Sequence, residues 1–486
     1  MITFVLCVIA LVLGYFLYGK FVETVFGPDD RDTPAVVKAD GVDFMVLPNW
    51  KIFMIQFLNI AGTGPIFGAI MGAKFGPAAY LWIVLGCIFA GATHDYLSGM
   101  ISIRKGGAGL PEIIGDTLGA TTRKVMLVFS VVLLIMVGAV FVYSPAEILD
   151  SIAGSTTMWI IIIFAYYFIA TMLPVDKVIG RIYPIFAFSL LFMAAALMVM
   201  LIIKWPSIPE LWDGLGNKAL TVDSNWSSQL YPCLFITIAC GAISGFHATQ
   251  SPLMGRCMKS ERMGRPIFYG AMITEGIVAL IWATVASYFF YAEPQPGYQV
   301  ITEYANNGFS TSAPKVVNII CNDWLGVVGG ILAMLGVVAA PITSGDTALR
   351  SARLIIADFV RMEQRSIKHR LIISVPIFLV CITLLLWQVE NPDGFNVIWQ
   401  YFGWSNQTLS VFTLWAIVMY LMKNGKPYYF VLIPALFMTT VCATFLFVSK
   451  QALGLPDTIG YLLGIVVLFV AYGWFHMVES KYKKTH

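Results

Sequence analysis

The stretch "GAISGFHATQSP" (241–252) directly follows "YPCLFITIAC" (231–240), which is apolar enough to lie in lipid. It contains an ionisable side chain, His247, which follows several residues that destabilise a helix. A single glycine costs about 1 kcal/mol in a helix interior. The sequence therefore predicts a membrane helix that is broken near its middle. The residues that weaken this helix are Gly241, Ser244 and Gly245.

The composition of the chain indicates a membrane protein. Of its 486 residues, 58% are hydrophobic and 12% are charged, whereas soluble domains carry about 25% charged residues. The net charge of +3 points to no nucleic acid or acidic partner. The eight cysteines are scattered through apolar runs without a CxxC pair, so we interpret them as packing residues. The sequence predicts no cofactor and no resident metal, and it does not indicate an oligomeric state.

Thirteen apolar stretches are long enough to cross a bilayer, which takes about 20 residues of helix. They are continuous rather than alternating, so we expect helices and not a β-barrel. The predicted fold is an all-α polytopic membrane protein with one transporter domain over residues 1–486. The predicted segments are 2–19, 51–75, 78–103, 123–145, 156–175, 183–203, 230–250, 267–291, 323–344, 369–388, 396–422, 428–449 and 458–477.

The second segment contains a similar polar interruption, "NIAGTGPIFG" (59–68). A proline adds about 3 kcal/mol to the cost of a helix interior, so this helix is also predicted to break. The two breaks lie five segments apart in helices of opposite direction, which is the pattern of a LeuT-like inverted repeat of five plus five helices. The predicted parts are an extra N-terminal helix (1–19), two five-helix repeats (51–203 and 230–422) and two C-terminal helices (428–477).

Close helix packing is a sufficient explanation for a lone glycine in a membrane helix. Two polar breaks at matching positions instead favour a transporter, because broken backbone at membrane depth is tolerated where it lines protein or a water-filled cavity. Free N–H and C=O groups at such a break can bind an anionic substrate or a cation. The predicted substrate contacts are Asn59, Gly62, Thr63, Gly64, Gly241, Ser244, Gly245, His247, Asn406 and Gln407. For Asn406 and Gln407, which we expect to interrupt the eleventh segment, hydrogen bonding between helices explains the sequence equally well.

Ionisable residues within the segments are candidates for proton coupling, because a charge in lipid is costly and is retained mainly for function. Glu275 lies about eight residues inside the eighth segment, although a structural ion pair would also explain it. His94 and Asp95 in "ATHDYLSG" (92–99) either anchor a helix end in water or face the interior. The predicted proton-coupling residues are His247, Glu275, Asp95 and His94.

The end of the ninth segment offers oxygen ligands that suit a hard cation such as sodium. This possible cation site consists of Thr343, Ser344 and Asp346 in "APITSGDTALRSAR" (340–353). Sodium coupling is thus the alternative to proton coupling. Two arginines in this stretch, Arg350 and Arg353, are explained by topology alone, and a functional role for them stays open.

The positions of Lys and Arg predict the orientation of the chain, because cytoplasmic loops are rich in these residues. With the N-terminus outside and alternating segments, 25 of the 30 Lys and Arg residues lie on the inner side. The C-terminus is then cytoplasmic. The outer residues are Lys74, Lys204, Lys218, Lys315 and Lys450.

Two other classes of function fit the sequence less well. A channel needs a continuous polar pore, whereas these polar breaks are separated by long apolar runs. An enzyme needs a recognisable catalytic arrangement, and the sequence has neither HExxH nor a nucleophile elbow. Neighbouring positions on a helix also place His94 and Asp95 in different directions. We therefore predict that the protein is not an enzyme.

Several stretches together resemble a known family over most of residues 40–410. They are "DGVDF" (40–44), "NIAGTGPIFG" (59–68), "FAGATHDYLSGMISIRKGG" (89–107), "CGAISGFHA" (240–248), "YGAMITEG" (269–276), "PITSGDTALRSAR" (341–353) and "FGWSNQTLS" (402–410). They are similar to the carbon-starvation protein (CstA) family of bacterial inner-membrane transporters. The resemblance implies uptake of peptides, or of pyruvate in related members, by bacteria short of carbon. It also implies membership of the amino acid–polyamine–cation (APC) superfamily.

The chain departs from this family near the supposed site. Well-known members are longer in the C-terminal half and carry a Ser/Thr-rich run ending in Pro-Lys after the histidine, where this chain reads "TQSPLMGRC" (249–257). Many members read Leu-Asp-Thr-Gly-Thr-Arg in the ninth segment, where this chain reads "SGDTALR" (344–350). Because these changes flank the supposed site, the identity of the substrate, a short peptide or pyruvate, is what the resemblance implies least directly.

Overall fold

The computed structural model describes residues 1–41, 43–150, 152–173, 175–218, 229–291, 313–364, 366–391, 394–450 and 452–485. These residues form helices joined by turns and loops, and none of them lies in a strand. The helices are α1 (Ile2–Phe16), α2 (Tyr18–Phe26), α3 (Pro34–Val37), α4 (Asn49–Ile60), α5 (Ala69–Ala73), α6 (Ala78–Leu85), α7 (Ala92–Arg104), α8 (Leu110–Leu118), α9 (Ala120–Asp150), α10 (Thr156–Met172), α11 (Val175–Lys204), α12 (Leu230–Thr237), α13 (Gly245–Gly255), α14 (Gly270–Tyr291), α15 (Ala313–Val360), α16 (Ile367–Glu390), α17 (Gly394–Lys423), α18 (Tyr429–Val448) and α19 (Asp457–Thr485).

The chain is a multi-pass membrane protein, as its composition predicts. Within the described part of the chain, nine helical spans are long and apolar enough to cross a membrane, and a bent pair adds a tenth. Every one of the thirteen predicted segments falls on helix or on a broken helix pair, but thirteen as the number of crossings stays a prediction. Large apolar side chains such as Phe188, Ile203 and Phe469 are exposed, as expected for surfaces that contact lipid.

Two predicted boundaries are wrong. The ninth segment does not end near residue 344, because α15 continues to Val360. The polar residues of the eleventh segment do not interrupt it, because α17 is helical throughout. In both helices, polar side chains form hydrogen bonds within the protein while the backbone stays helical. The Thr347 hydroxyl, for example, donates to the carbonyl of Thr343 one turn earlier (3.1 Å). Polarity therefore marks a buried interface here, and not a helix end.

Charged residues at one end of the bundle hold its loops together, and we call this the basic end. Arg104 on α7 donates to Glu261 Oε2 (3.0 Å) and to the Gly27 carbonyl (2.6 Å). Lys426 donates to the Phe26 carbonyl (2.6 Å). Hydrogen bonds from Arg31 hold the pKa of Asp29, in the adjoining loop, well below its usual range.

The opposite end gathers loops that the predicted alternation places outside. The Lys218 amide donates to the Phe75 carbonyl (3.3 Å), and the Tyr291 hydroxyl donates to the Lys74 carbonyl (2.6 Å). The backbone N–H of Thr3 donates to Glu210 (2.7 Å). The separation of Lys74 and Lys218 from the basic end agrees with the predicted alternation of segments.

Candidate functional site

Both predicted helix breaks are present. The first separates α4 from α5: helix ends at Ile60, resumes as a π-helical turn at Gly64–Gly68, and bends by 52°. The second separates α12 from α13, with Ser244 extended (φ −145°, ψ 124°) just before the second half-helix. Each break coincides with glycines, which lose the most backbone freedom in a helix.

The two breaks pack directly against each other. A Cβ atom on Gly64 would lie 2.3 Å from both Cβ and Sγ of Cys240. A Cβ on Gly68 would lie 2.9 Å from the carbonyl oxygen of Thr237, the last residue of α12. Only glycine allows this approach, so the small residues serve the contact between the breaks as well as the breaks themselves.

Side chains of neighbouring helices bind backbone groups at the breaks. Ser344 Oγ on α15 donates to the Leu58 carbonyl (2.8 Å), and Trp82 Nε1 donates to the Ile238 carbonyl (2.8 Å). Asn406 Oδ1 on α17 accepts from the Phe246 amide (2.7 Å), at the N-terminal end of α13. These bonds compensate the helix-end groups that a break exposes.

The structure answers the open question about the eleventh segment in favour of bonds between helices. Besides capping α13, Asn406 accepts from the Ser244 hydroxyl (3.0 Å). Gln407 Nε2 donates to the Phe235 carbonyl of α12 (2.8 Å). Asn406 and Gln407 thus hold the two halves of the second broken helix. Direct contact of either with a substrate stays a prediction.

Four buried ionisable side chains form a continuous cluster beside the second break. Asp95 on α7 lies between two imidazoles: its Oδ1 is 2.8 Å from His94 Nδ1, and its Oδ2 is 2.8 Å from His247 Nδ1. An ionised carboxylate only accepts hydrogen bonds, so both rings donate from Nδ1. On the other side of His247, Nε2 is 3.6 Å from Oε2 of Glu275 on α14. All four side chains are fully buried.

This geometry decides between the two interpretations of "ATHDYLSG". Asp95 and His94 face the protein interior and do not anchor a helix end in water. The expectation that their side chains point in different directions is wrong, because His94 bends toward the carboxylate of its chain neighbour. Asp95 fixes the proton of His247 on Nδ1 and leaves Nε2 directed at Glu275, a tautomer selection common where a carboxylate binds an imidazole.

Several polar atoms of the cluster have no hydrogen-bond partner among the described residues: Nε2 of both histidines and both carboxylate oxygens of Glu275. Buried polar atoms are rarely left unpaired, so this cluster is suited to take up a proton or a polar ligand. Cys240 Sγ, the His247 ring and the Glu275 carboxylate lie within 4.8 Å of one another. A transition-metal ion can also bridge donors of these types, although the sequence predicts no resident metal.

The first break carries a second set of unpaired polar atoms. The side-chain amides of Asn59 and Gln56, and the hydroxyl of Thr63, are buried without a partner in the described part of the chain. Asn59 and Thr63 were predicted substrate contacts, whereas Gln56 was not. Gln56 could have been predicted as well, because it lies three residues before Asn59 and therefore on the same face of α4.

The predicted cation site is not a single cluster. Ser344 reaches the first break, as its bond to the Leu58 carbonyl shows. Thr343 donates to the Ala340 carbonyl of its own helix (2.9 Å). Asp346 instead faces α11, with Oδ2 2.8 Å from the Tyr183 hydroxyl. Two positions on a helix that differ by two residues point in nearly opposite directions, so Asp346 does not join Ser344 at the break.

Comparison with protein families identifies the chain. The family model for carbon starvation protein CstA matches residues 1–153, 142–307 and 300–445. The chain belongs to the CstA family. The resemblance seen in the motifs is therefore confirmed over nearly the whole chain.

Relatives of this CstA-family protein include an uncharacterized membrane protein of Haemophilus influenzae, 45% identical over 61% of this chain and 92% of the relative. The peptide transporter CstA of Campylobacter jejuni is 26% identical over 88% of this chain and 77% of its own length. The corresponding Escherichia coli protein is 24% identical, with 87% and 77% covered. The uncovered part of these relatives agrees with the expectation that well-known members are longer, without locating the extra length in the C-terminal half.

The fold is also similar to that of a solved structure. The manganese transporter of Eremococcus coleocola aligns with a TM-score of 0.55 at 10% identity, covering 91% of this chain and 99% of the transporter. At this identity the likeness concerns the fold alone. It places the helix arrangement described above among those of membrane transporters.

Proposed function

We propose that the chain is a secondary active transporter of the bacterial cytoplasmic membrane that imports short peptides or pyruvate-like carboxylates during carbon starvation, coupled to protons. The observation that carries this proposal is the contact of two broken helices beside the buried series His94–Asp95–His247–Glu275. The names of the curated relatives support peptides as substrates. Transport, and not catalysis, is the activity that a buried break of this kind serves.

The substrate's carboxylate would bind where the two breaks meet. The unpaired amide of Asn59 and hydroxyl of Thr63 are the side-chain donors at the first break. The unpaired Gln56 amide extends this surface along α4. The backbone at Gly62–Gly64 and Gly241–Gly245 would contribute N–H groups, and the positive end of a half-helix favours a negative charge.

The proton would be carried by His247 and Glu275, with Asp95 and His94 as further members of the relay. His247 links the second break to both carboxylates, so a proton on its Nε2 would bridge to Glu275. Because His247 lies on α13, a change in its protonation acts on the half-helix that forms the substrate site.

Sodium-coupled transport of an amino acid or organic acid is the second candidate. Ser344 Oγ and the Leu58 carbonyl are oxygens 2.8 Å apart at the first break, and oxygen ligands suit a hard cation. Asp346 would take part only after a rearrangement, because it is held by Tyr183.

The proposed architecture is a LeuT-like inverted repeat, with residues 51–203 and 230–422 as its halves, 1–19 before them and 428–477 after them. It is supported by the two breaks five predicted segments apart, each at the start of one half. A core of this type lets one bundle rock against the other around a fixed site. Membership of the APC superfamily is part of the same proposal.

We predict that the N-terminus lies outside and the C-terminus in the cytoplasm. The basic end, with Arg104 and Lys426, would then be the cytoplasmic end, since Lys and Arg are retained on that side. Reporter fusions at both termini measure this orientation. A cytoplasmic N-terminus would reject the predicted orientation, and two termini on the same side would reject the thirteen-segment alternation on which the opposite directions of the two repeats rest.

Uptake by the purified protein in liposomes tests the proposed function. We expect labelled pyruvate or dipeptide to accumulate when the outside is made acidic, and a protonophore to abolish accumulation. Accumulation that follows a sodium gradient and ignores the protonophore would support the second candidate instead. Large unitary currents in electrical recordings would indicate a channel and reject both.

A further inference from the structure

Two arginines lie completely buried on α15, one helical turn apart. Arg350 and Arg353 have no exposed surface, and Arg256 and Arg370 are also buried nearby, at the basic end. Arginine is almost never fully buried unless its charge is paired. A structural role would therefore require that the guanidinium groups of this pair be satisfied within the protein.

They are satisfied only in part. Arg350 Nη2 donates to the Ala170 carbonyl (2.6 Å), and Arg353 Nη1 donates to Gln364 Oε1 (2.8 Å). Nε and Nη1 of Arg350, and Nε and Nη2 of Arg353, have no hydrogen-bond partner among the described residues. In Arg353 the two unpaired nitrogens form one edge of the guanidinium, which is the edge that can bind both oxygens of a carboxylate.

The carboxylate that faces this pair is too far away to fill these donors. Asp43 Oδ1 is 3.9 Å from Arg350 Nη1 and 3.9 Å from Arg353 Nη2. A hydrogen bond between such groups is about 2.7–2.9 Å long, and Asp43 Oδ1 has no hydrogen-bond partner in the described part of the chain. Asp346, a buried carboxylate one turn before Arg350 on α15, is turned toward Tyr183. Asp43 partly compensates the positive charge of Arg350 and Arg353. It does not supply the hydrogen bonds that their unpaired nitrogens could form.

An open cavity at the basic end lies beside the loop that carries Asp43. Its lining includes Phe44, the neighbour of Asp43, together with Arg256 and Lys105. The loop that carries Asp43 is held in place by the Met45 amide, which donates to the Arg256 carbonyl (3.3 Å). Five basic residues line this cavity against three acidic ones, and such an excess of positive charge attracts anions to this end of the protein.

We propose that Arg350 and Arg353 form a second binding site for the carboxylate group of a small organic acid or peptide, for which Asp43 competes as an internal carboxylate. The ligand class rests on the proposed function, in which the substrate carries a carboxylate. When the ligand carboxylate binds the unpaired edge of the Arg353 guanidinium, the ion pair between Asp43 and the two arginines weakens.

Equilibrium binding to the purified full chain tests the site, with pyruvate and dialanine as probes. Asp43→Asn removes the competing negative charge and is expected to tighten binding about tenfold, because the ligand carboxylate then forms its charged hydrogen bonds with Arg353 without electrostatic competition. Arg353→Gln is expected to weaken binding about tenfold, and Arg353→Lys to restore only part of it, because lysine lacks the planar fork. The exposed Lys368→Gln, which also removes one positive charge, is the matched control and should bind as wild type.

The double variant Asp43→Asn/Arg353→Gln separates this site from the helix breaks. If Asp43 acts through Arg353, its substitution has no further effect in the Arg353→Gln background. Unchanged affinity for pyruvate and dialanine in both single variants would overturn the proposal. Equal changes in the affinity for inorganic phosphate, or for vesicles of anionic lipid, would overturn it as well. If the binding changes occur but wild-type liposomes take up no carboxylate, the proposed function fails while the anion site stands.

Discussion

Gly64→Val is expected to abolish uptake while the protein still inserts in the membrane. The first atom of any side chain at this position would lie 2.3 Å from Cβ and Sγ of Cys240, so the two breaks could not keep their contact. Overpacking typically costs about 1–3 kcal/mol, and we expect even Gly64→Ala to lower uptake about tenfold. Uptake by reconstituted liposomes, at matched amounts of inserted protein, measures the effect.

Gly245→Val tests the second break through its close contact with α17. Its Cβ would lie 2.4 Å from the backbone oxygen of Asn406 and 2.4 Å from the backbone nitrogen of Ser410. Backbone atoms of α17 cannot move aside as a side chain can, so loss of uptake should again be complete. Gly473→Val, where a Cβ meets no atom within 4 Å, is the matched control and should transport normally.

A compensating pair makes this prediction specific. Cys240→Gly removes the atoms that an alanine at position 64 would strike, so Gly64→Ala/Cys240→Gly should recover much of the lost uptake. Normal transport by both valine variants would show that the breaks do not form the substrate site. Failure of the compensating pair alone would point instead to a need for the Cys240 thiol.

His247→Ala combined with Glu275→Gln is expected to eliminate accumulation driven by a proton gradient. His247 is the only described side chain that contacts both Asp95 and Glu275 through hydrogen-bond or ion-pair distances (2.8 and 3.6 Å). Its removal interrupts the relay between α7 and α14. Glu275→Gln keeps the shape of the side chain but cannot ionise, so the proton has no acceptor at that end.

Comparing two assays separates coupling from binding. Exchange of labelled for unlabelled substrate without a gradient should persist in Glu275→Gln, because exchange does not need net proton movement. His476→Ala and Glu390→Gln, which alter exposed residues, are matched controls and should accumulate substrate as wild type does. Full gradient-driven accumulation by the double variant would assign the coupling to other residues.

Features that depend on nearby residues could be predicted from the sequence. The helical segments follow from apolar runs, and both breaks follow from clustered glycine and proline, because the cost of these residues in a helix is local. The membrane depth of His247, Glu275 and Asp95 follows from their position in a segment. Even so, local polarity was misleading at Thr343–Arg353 and Ser405–Gln407, where α15 and α17 continue without a break.

Contacts between distant residues needed the tertiary structure. Asp95 and His247 are 152 positions apart and meet at 2.8 Å, and Asn406 caps a half-helix 160 positions away. Arg350 and Arg353 fit the positive-inside pattern, yet both are completely buried. Hydropathy records how much of a segment is apolar, whereas burial and hydrogen bonding depend on which face of each helix meets which neighbour.

The sequence by itself determined that this chain is a helical membrane protein with two interrupted helices and a few intramembrane charges. Those properties arise from the chemistry of single residues and their immediate neighbours, in a solvent that tolerates no unpaired backbone. Only the tertiary structure decided that the two interruptions touch, that Asp95 holds two histidines and that Glu275 faces one of them. These depend on helix rotation and packing, which fix the direction of each side chain over distances that sequence spacing does not encode.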